Sequence, residues 1–251
     1  MRDAKASDRK VALLMTRPPA ASARFVAQLP PELLVRLTVL EAPLLEIKLL
    51  ELEAGLSFDG YLGVIFTSAN GVTTAGVPPQ GLPAYCIGAR TTQAATEAGW
   101  QAQNCGATAA ELCGSLQATP PPVPLLHLHG RHTRGEVAET LTAAGLLCEG
   151  RVIYEQRLLP LEPEIRQQIG AQSDVVVPLF SPRTARHFAS LGLDQRNLTL
   201  IALSQAVAEE LKGLNYKDLQ VSKMPDAPSM AVMVRDAAVR LAHLEGGKPA
   251  Q

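Results

Sequence analysis

The feature that most constrains this chain is an alternation that runs almost its whole length. Short apolar runs end in Gly, Ser, Thr or Arg, and an amphipathic stretch follows each one. The runs Val11–Thr16, Arg36–Leu40, Gly60–Phe66, Ala84–Ile87 and Gln101–Asn104 read as strands, as do Val123–Leu128, Leu146–Gln156, Asp174–Phe180, Leu198–Leu203 and Leu219–Ser222. Between them, stretches such as Ala20–Leu29, Thr91–Ala98, Ala109–Gln117, Gly135–Ala144, Pro182–Leu191 and Ser229–His243 carry helical spacing. Strands separated by helices cannot pair as hairpins. They form parallel sheets with right-handed crossovers, which places the chain in the α/β class.

A weak internal repeat divides the alternation in two. Asp59–Gly71 (DGYLGVIFTSANG) and Asp174–Arg186 (DVVVPLFSPRTAR) each start at Asp, run through an apolar strand and turn at Ser into a helix. Ala84–Gly99 parallels Thr199–Gly213, and Leu13–Leu29 shares a strand–Arg–helix plan with Leu126–Leu141. Two similar units account for 251 residues more economically than one sheet of nine or ten strands. Glu41–Lys48 and Arg151–Pro160 look extended and contain or border Pro, so they are candidates for two chain crossings. The middle of the chain is then an inserted domain of residues 44–158, and residues 1–43 pair with 159–251 to form the other.

Composition narrows the partners. The chain is 47% hydrophobic and 19% charged, enough to build a core. With 23 basic and 24 acidic residues the net charge is −1, so no global field favours nucleic acid or an anionic membrane, and an anionic ligand must be held by local donors. Cys86, Cys105, Cys113 and Cys148 form no C-x-x-C pair and read as reduced thiols in a cytoplasmic protein. Met1–Lys10 is polar, unlike a signal peptide, no apolar run is long enough to span a bilayer, and Glu245–Gln251 reads as a loose tail.

In open parallel sheets ligands sit beyond the carboxyl ends of the strands. Those ends are Thr16-Arg17, Thr67 to Gly71, Gly88 to Thr91, His129 to Arg131, Ser181 to Thr184 and Ser204-Gln205. Most join a small or hydroxyl residue to an Arg at a helix start. Such turns offer free backbone N–H groups, a positive dipole end and bidentate guanidinium donors, a set that suits a ligand with many acid groups. The plainer reading is that Ser, Thr and Asn cap helices and the arginines are solvated. An Arg at a helix N-terminus opposes the dipole, so their recurrence favours the ligand reading.

Val64–Val72 (VIFTSANGV) resembles the T-S-x-N-G-V strand-to-helix turn of the uroporphyrinogen-III synthase family. Leu126–Tyr154, with its G–R turn, its helix ending in Gly and its strand bearing a Tyr, is similar to the family's next segment. Leu13–Pro18 (LLMTRP), Ile87–Thr91 (IGART) and Phe180–Pro182 (FSP) follow the same order. The resemblance implies two doubly wound, flavodoxin-like parallel-sheet domains joined by two extended connectors, with a site in the cleft between them. It implies a cyclase that closes hydroxymethylbilane, a linear tetrapyrrole with eight carboxylates, to uroporphyrinogen III with loss of water and inversion of the last ring. No metal or organic cofactor is implied, and such clamps are expected to be monomers.

By the same resemblance Tyr154 is the proton donor to the leaving hydroxyl. Its alternative role is a connector residue with a packed ring. Thr67, Ser68, Thr91 and Ser181 are carried over as hydroxyl or backbone donors to substrate carboxylates. Asn70, Gly88, Gly130 and Ser204 belong to the same turns, and Arg17, Arg90, Arg131 and Arg183 are added on electrostatic grounds. Two departures stand out. The family's I-G-x-T-T-A turn is Ile201–Ala206 (IALSQA) here, so Ala202 would hinder a backbone that needs positive φ, and Pro178 inside a strand predicts an edge or a bulge.

His127, His129 and His132 form H-x-H-x-x-H, with the first two on one strand face. No acidic or Cys partner lies nearby, so structural or cleft-lining histidines are expected and no metal. P-loop, G-x-G-x-x-G and G-x-S-x-G motifs are absent. The rival to a cyclase is a non-catalytic two-domain module that binds a polyanion such as a tetrapyrrole.

Overall fold

The computed structural model describes residues 10–51, 55–79, 81–132, 136–193 and 196–244. Met1 to Arg9 of the polar N-terminal stretch and the tail Glu245–Gln251 lie outside them. The strands are β1 (Val11–Met15), β2 (Leu37–Glu41), β3 (Leu45–Leu49), β4 (Gly63–Phe66), β5 (Pro83–Cys86), β6 (Gln101–Asn104), β7 (Leu125–Gly130), β8 (Cys148–Leu158), β9 (Val175–Leu179), β10 (Leu198–Ala202) and β11 (Asp218–Val221). The helices are α1 (Pro19–Val26), α2 (Pro31–Leu34), α3 (Ala69–Ala75), α4 (Ala89–Glu97), α5 (Ala109–Ala118), α6 (Val137–Ala143), α7 (Pro163–Ala171), α8 (Pro182–Ser190), α9 (Gln205–Glu209) and α10 (Ala227–Leu244). This is a mixed α/β fold with parallel sheets, the class that the alternation predicts. None of the described helices is long and apolar enough to cross a membrane.

Two compact units emerge, one of Met1–Glu46 with Leu158–Gln251 and one of Ile47–Arg157. The chain passes between them within β3 and β8, which are neighbours in the second unit's sheet.

The first unit holds a five-stranded sheet of order β11-β10-β9-β1-β2, every pair parallel. Both faces of its inner strands β1, β9 and β10 are covered, which is why these are buried at every position rather than at alternate ones. Ala12, Leu14, Val177 and Leu200 pack under Ile169 of α7, Phe188 of α8 and Val207 of α9. Leu13, Met15, Val176 and Ile201 pack under Phe25 of α1 and Met230 and Val234 of α10. A fully buried Leu or Phe of this kind contributes about 1.5–3 kcal/mol relative to exposure.

Pro178 departs from the sequence expectation. It lies in β9, third of the five strands, paired with Ile201 rather than at an edge. The reason is the direction of its missing N–H. Val175 N bonds Asn197 O and Leu203 N bonds Leu179 O, so the odd residues of β9 face β10. Residue 178 faces β1, where the paired register covers only Ala12↔Val175 and Leu13↔Val176. The missing donor thus falls past the paired stretch. Ala202 raises no conflict either: it ends β10 in extended pairing with Leu179 and Val221, where positive φ is not required.

The second unit holds a six-stranded sheet of order β3-β8-β7-β4-β5-β6. Ile65 and Leu125 pack against Leu112 of α5 and Leu141 of α6. Val64, Phe66, Leu126 and Leu128 pack on the other face against Val72 of α3 and Ala95 of α4. All four cysteines are free and buried, and burial pushes the Cys86 and Cys148 thiols up to about 12, so these two stay protonated and unreactive.

Candidate active site

In each unit the strand order reverses once, and the predicted site residues gather around those reversals. The reversal is between β1 and β9 in the first unit and between β4 and β7 in the second. Helices leave to opposite faces there, the arrangement that in open parallel sheets places a ligand at the strands' carboxyl ends.

In the first unit Arg17 follows β1 and Ser181 follows β9. The Arg17 Cζ lies 4.2 Å from the centroid of the Phe180 ring, and Phe25 meets that ring edge-on at 5.0 Å. The guanidinium stacks on the aromatic face, a contact that fixes the orientation of its plane. Ser181 is the N-cap of α8: its Oγ accepts from the Thr184 backbone N–H at 3.1 Å and lies 2.9 Å from Thr184 Oγ1. Arg183 stands in that helix's first turn, partly buried. One strand further, Ser204 is the N-cap of α9 and makes no side-chain capping bond.

In the second unit Thr67 and Ser68 follow β4. Ser68 caps α3 in extended geometry, its Oγ accepting from the Asn70 backbone N–H at 3.2 Å. A capping hydroxyl uses a lone pair for this, so its own hydrogen remains to be donated. Gly88 starts α4 at φ 76°, a left-handed value that a side chain would strain. Arg90 of the same turn is exposed, whereas Thr91 is buried at 6% exposure, the most buried of the Ser and Thr residues predicted to bind carboxylates.

Gly130 ends β7 and pairs with Tyr154 of β8, and Arg131 N bonds Tyr154 O at 2.9 Å. The Tyr154 ring occupies the space over Gly130 that a side chain would fill. Tyr154 is 5% exposed, and burial raises its phenol above the ordinary tyrosine range; the Ser68 hydroxyl and the Gly130 backbone pull the other way. The result is a phenol that keeps its proton at neutral pH, a donor rather than a base. Arg131 is more committed than the sequence indicates, because its Nε lies 3.2 Å from Glu155 Oε2. Nothing in the order of residues marks Glu155 as that partner.

The predicted residues thus fall into two sets, one in each unit. Thr67, Ser68, Asn70, Gly130, Arg131 and Tyr154 lie on the adjacent β4, β7 and β8, with Gly88 and Arg90 at the next strand. Arg17, Ser181 and Arg183 lie on the adjacent β1 and β9, with Ser204 at the next strand. Of the three histidines, His127 and His129 stack on β7 at 4.6 Å, and His132 is exposed. Among the described residues no group of three or more His, Cys, Asp or Glu side chains could hold a metal ion.

A sequence profile described as uroporphyrinogen-III synthase HemD matches residues 36–231. No curated protein matches the chain in a sequence comparison. Among solved structures, uroporphyrinogen-III synthetase from Helicobacter pylori is similar with a TM-score of 0.64 at 18% identity, over 91% of this chain and 99% of that one. A mutant uroporphyrinogen III synthase from Thermus thermophilus gives a TM-score of 0.49 at 15% identity, over 92% of this chain and 99% of that one. The first of these likenesses is one of fold.

Proposed function

The chain belongs to the uroporphyrinogen-III synthase family, and on that premise we propose that it works as a cyclising hydro-lyase, converting hydroxymethylbilane to uroporphyrinogen III with loss of water. The observation that carries the mechanism is the Tyr154 phenol, held protonated on β8 beside Ser68 and Gly130, which flank the β4–β7 reversal. The leaving group is a hydroxyl on a pyrrolic methylene. The pyrrole nitrogen supplies the electrons that expel it, and Tyr154 supplies the proton, so that it departs as water. The azafulvenium-like carbon left behind is attacked by the substituted carbon of the terminal pyrrole. The spiro carbon's bond to its original bridging methylene then breaks and re-forms at the ring's free α-carbon, which inverts the ring. The hydrogen on that carbon leaves as a proton that restores both the pyrrole and the Tyr154 phenol. The enzyme's task is to hold a flexible chain folded while this occurs.

Holding falls to the donors. Thr67, Ser68, Asn70, Gly88, Arg90, Thr91, Gly130 and Arg131 of one unit, and Arg17, Ser181, Arg183 and Ser204 of the other, bind substrate carboxylates through hydroxyls, backbone N–H groups and guanidinium forks. A net charge of −1 is consistent with local capture rather than long-range steering. The proposal retains the sequence-based division into domains 1–43 with 159–251 and 44–158, both doubly wound and flavodoxin-like, joined by two connectors. It also retains a monomeric, cytoplasmic enzyme that acts without cofactor, nucleic acid or membrane.

The test is isomer analysis. Hydroxymethylbilane closes spontaneously to the type I ring, so type III product in proportion to added protein supports the cyclase, and type I alone overturns it in favour of a binding module.

A further inference from the structure

Behind the β4 and β7 turns lie two imidazoles that the reaction above leaves without a role. His127 and His129 are alternate residues of β7, so both side chains leave one face of the sheet, opposite to the face shared by Leu126, Leu128 and Tyr154. Their rings stack with centroids 4.6 Å apart and planes at 29°. Each ring reaches a different turn. His129 Nδ1 lies 2.9 Å from the Gly130 carbonyl oxygen. His127 Nε2 lies 3.5 Å from Thr67 Oγ1, across the β4–β7 neighbourhood where the strand order reverses. Gly150 on β8 leaves room for the outer ring, since a Cβ there would lie 3.2 Å from His129 Nε2.

Hydrogen accounting assigns the roles. A carbonyl only accepts, so His129 carries its hydrogen on Nδ1 and donates to Gly130. His127 is 3% exposed, and burial, helped by His129, lowers its pKa to about 3. It is neutral in the physiological range and has one ring hydrogen. The Thr67 hydroxyl has one hydrogen and two lone pairs, whereas an ionised carboxylate accepts only. A Thr67 that binds a carboxylate has committed its hydrogen there and can offer His127 only a lone pair. The separation of 3.5 Å is long for a hydrogen bond, as contacts in ligand-free sites often are.

We propose that His127 is a positioning residue: as the Nε2–H tautomer it donates to Thr67 Oγ1, which aims the Thr67 hydroxyl hydrogen at a substrate carboxylate, while His129 fixes the ring plane by stacking and by its bond to Gly130. The proposal rests on the reading of Thr67 as a substrate donor. It differs from the ordinary role of a buried histidine, which would be satisfied by Thr67 and indifferent to substrate.

The experiment combines steady-state kinetics with imidazole ¹⁵N spectroscopy on the full chain. Variants are His127→Leu, His127→Gln, Thr67→Val and the double His127→Leu/Thr67→Val, with hydroxymethylbilane as substrate. Loss of an oriented donor to a charged group is worth about tenfold. His127→Leu is therefore expected to raise KM about tenfold, and His127→Gln, whose amide N–H replaces Nε2–H, to recover most of that loss. In the Thr67→Val background His127→Leu adds nothing further. Equal losses for Leu and Gln, or losses that add to Thr67→Val, overturn the proposal and leave a structural histidine. The wild-type ¹⁵N spectrum does not depend on any variant's folding, and an Nδ1–H tautomer at His127 overturns the proposal by itself. The underlying reading fails differently: either the wild type yields no type III product or Thr67→Val leaves KM unchanged.

Discussion

The Tyr154 ring packs on Gly130 so closely that a Cβ at residue 130 would lie 2.5 Å from Tyr154 Cε2 and 3.1 Å from its hydroxyl oxygen. The contact follows from the pairing of Gly130 with Tyr154 in adjacent strands, and any side chain at 130 must displace the ring. Gly130→Ala is expected to destabilise the protein by about 1–3 kcal/mol, the usual penalty of overpacking, and to lower turnover together with Tm. Tyr154→Phe keeps the ring and removes the proton. It should leave Tm nearly unchanged and lower kcat by about 100-fold or more, the scale of a lost general acid. Thermal melts and kcat measured on both variants separate the two effects, and a Phe variant with full turnover would remove Tyr154 from the mechanism.

The pH profile tests the same phenol from another side. Burial raises Tyr154 above the ordinary value of about 10, and the active form is the protonated one. On the Tyr154 side, kcat should therefore stay level through neutral pH and fall only on an alkaline limb above pH ~10. The Ser68 hydroxyl favours the phenolate, so removing it shifts the limb further up rather than down. Kinetics of Ser68→Ala across the alkaline range check the sign. The same variant also loses the α3 cap, which costs about 0.5–2 kcal/mol, and melts read that part independently.

How far the chain can be read without its fold depends on which interactions are local. The strands and the turns after them are legible because apolar runs buried on both faces need no partner to be recognised, and Ser68 and Ser181 announce helix starts by their own chemistry. Pro178 is misread as an edge residue because its tolerance depends on which neighbour its missing N–H faces, and that is a property of strand order. The Arg131–Glu155 pair is invisible because it joins β7's exit to β8 across 24 residues. The spacing of His127 marks it out, but its contact with Thr67 spans 60 residues and no local pattern reports it.

Acid should weaken the fold through His127. Its folded pKa, about 3, lies below the ordinary value of 6.5. The unfolded chain therefore binds a proton in this window that the folded chain refuses. This contribution is fully present above pH 6.5 and is lost as pH falls towards 3, at up to about 1.4 kcal/mol per pH unit. Denaturant melts of wild type between pH 7 and 4 should show that slope, and His127→Gln, which cannot protonate, should flatten it. An unchanged slope in the variant would assign the acid sensitivity to other groups.

The Arg131–Glu155 pair yields a prediction of opposite sign to most site mutations. Arg131 is 57% exposed and Glu155 28%, so their attraction is screened and worth no more than about 1 kcal/mol to stability. It also bears on binding, because Glu155 engages the guanidinium Nε and repels a substrate carboxylate as it approaches. Glu155→Gln removes the competitor and the repulsion while keeping the side chain's shape. It should lower KM by about two- to fivefold, the factor that a pair of up to ~1 kcal/mol allows, with Tm nearly unchanged. Added salt screens the wild-type pair and the substrate alike, so the advantage of the variant should shrink as ionic strength rises. A KM that rises in Glu155→Gln would instead make Glu155 an orienting partner that holds Arg131 ready for the substrate.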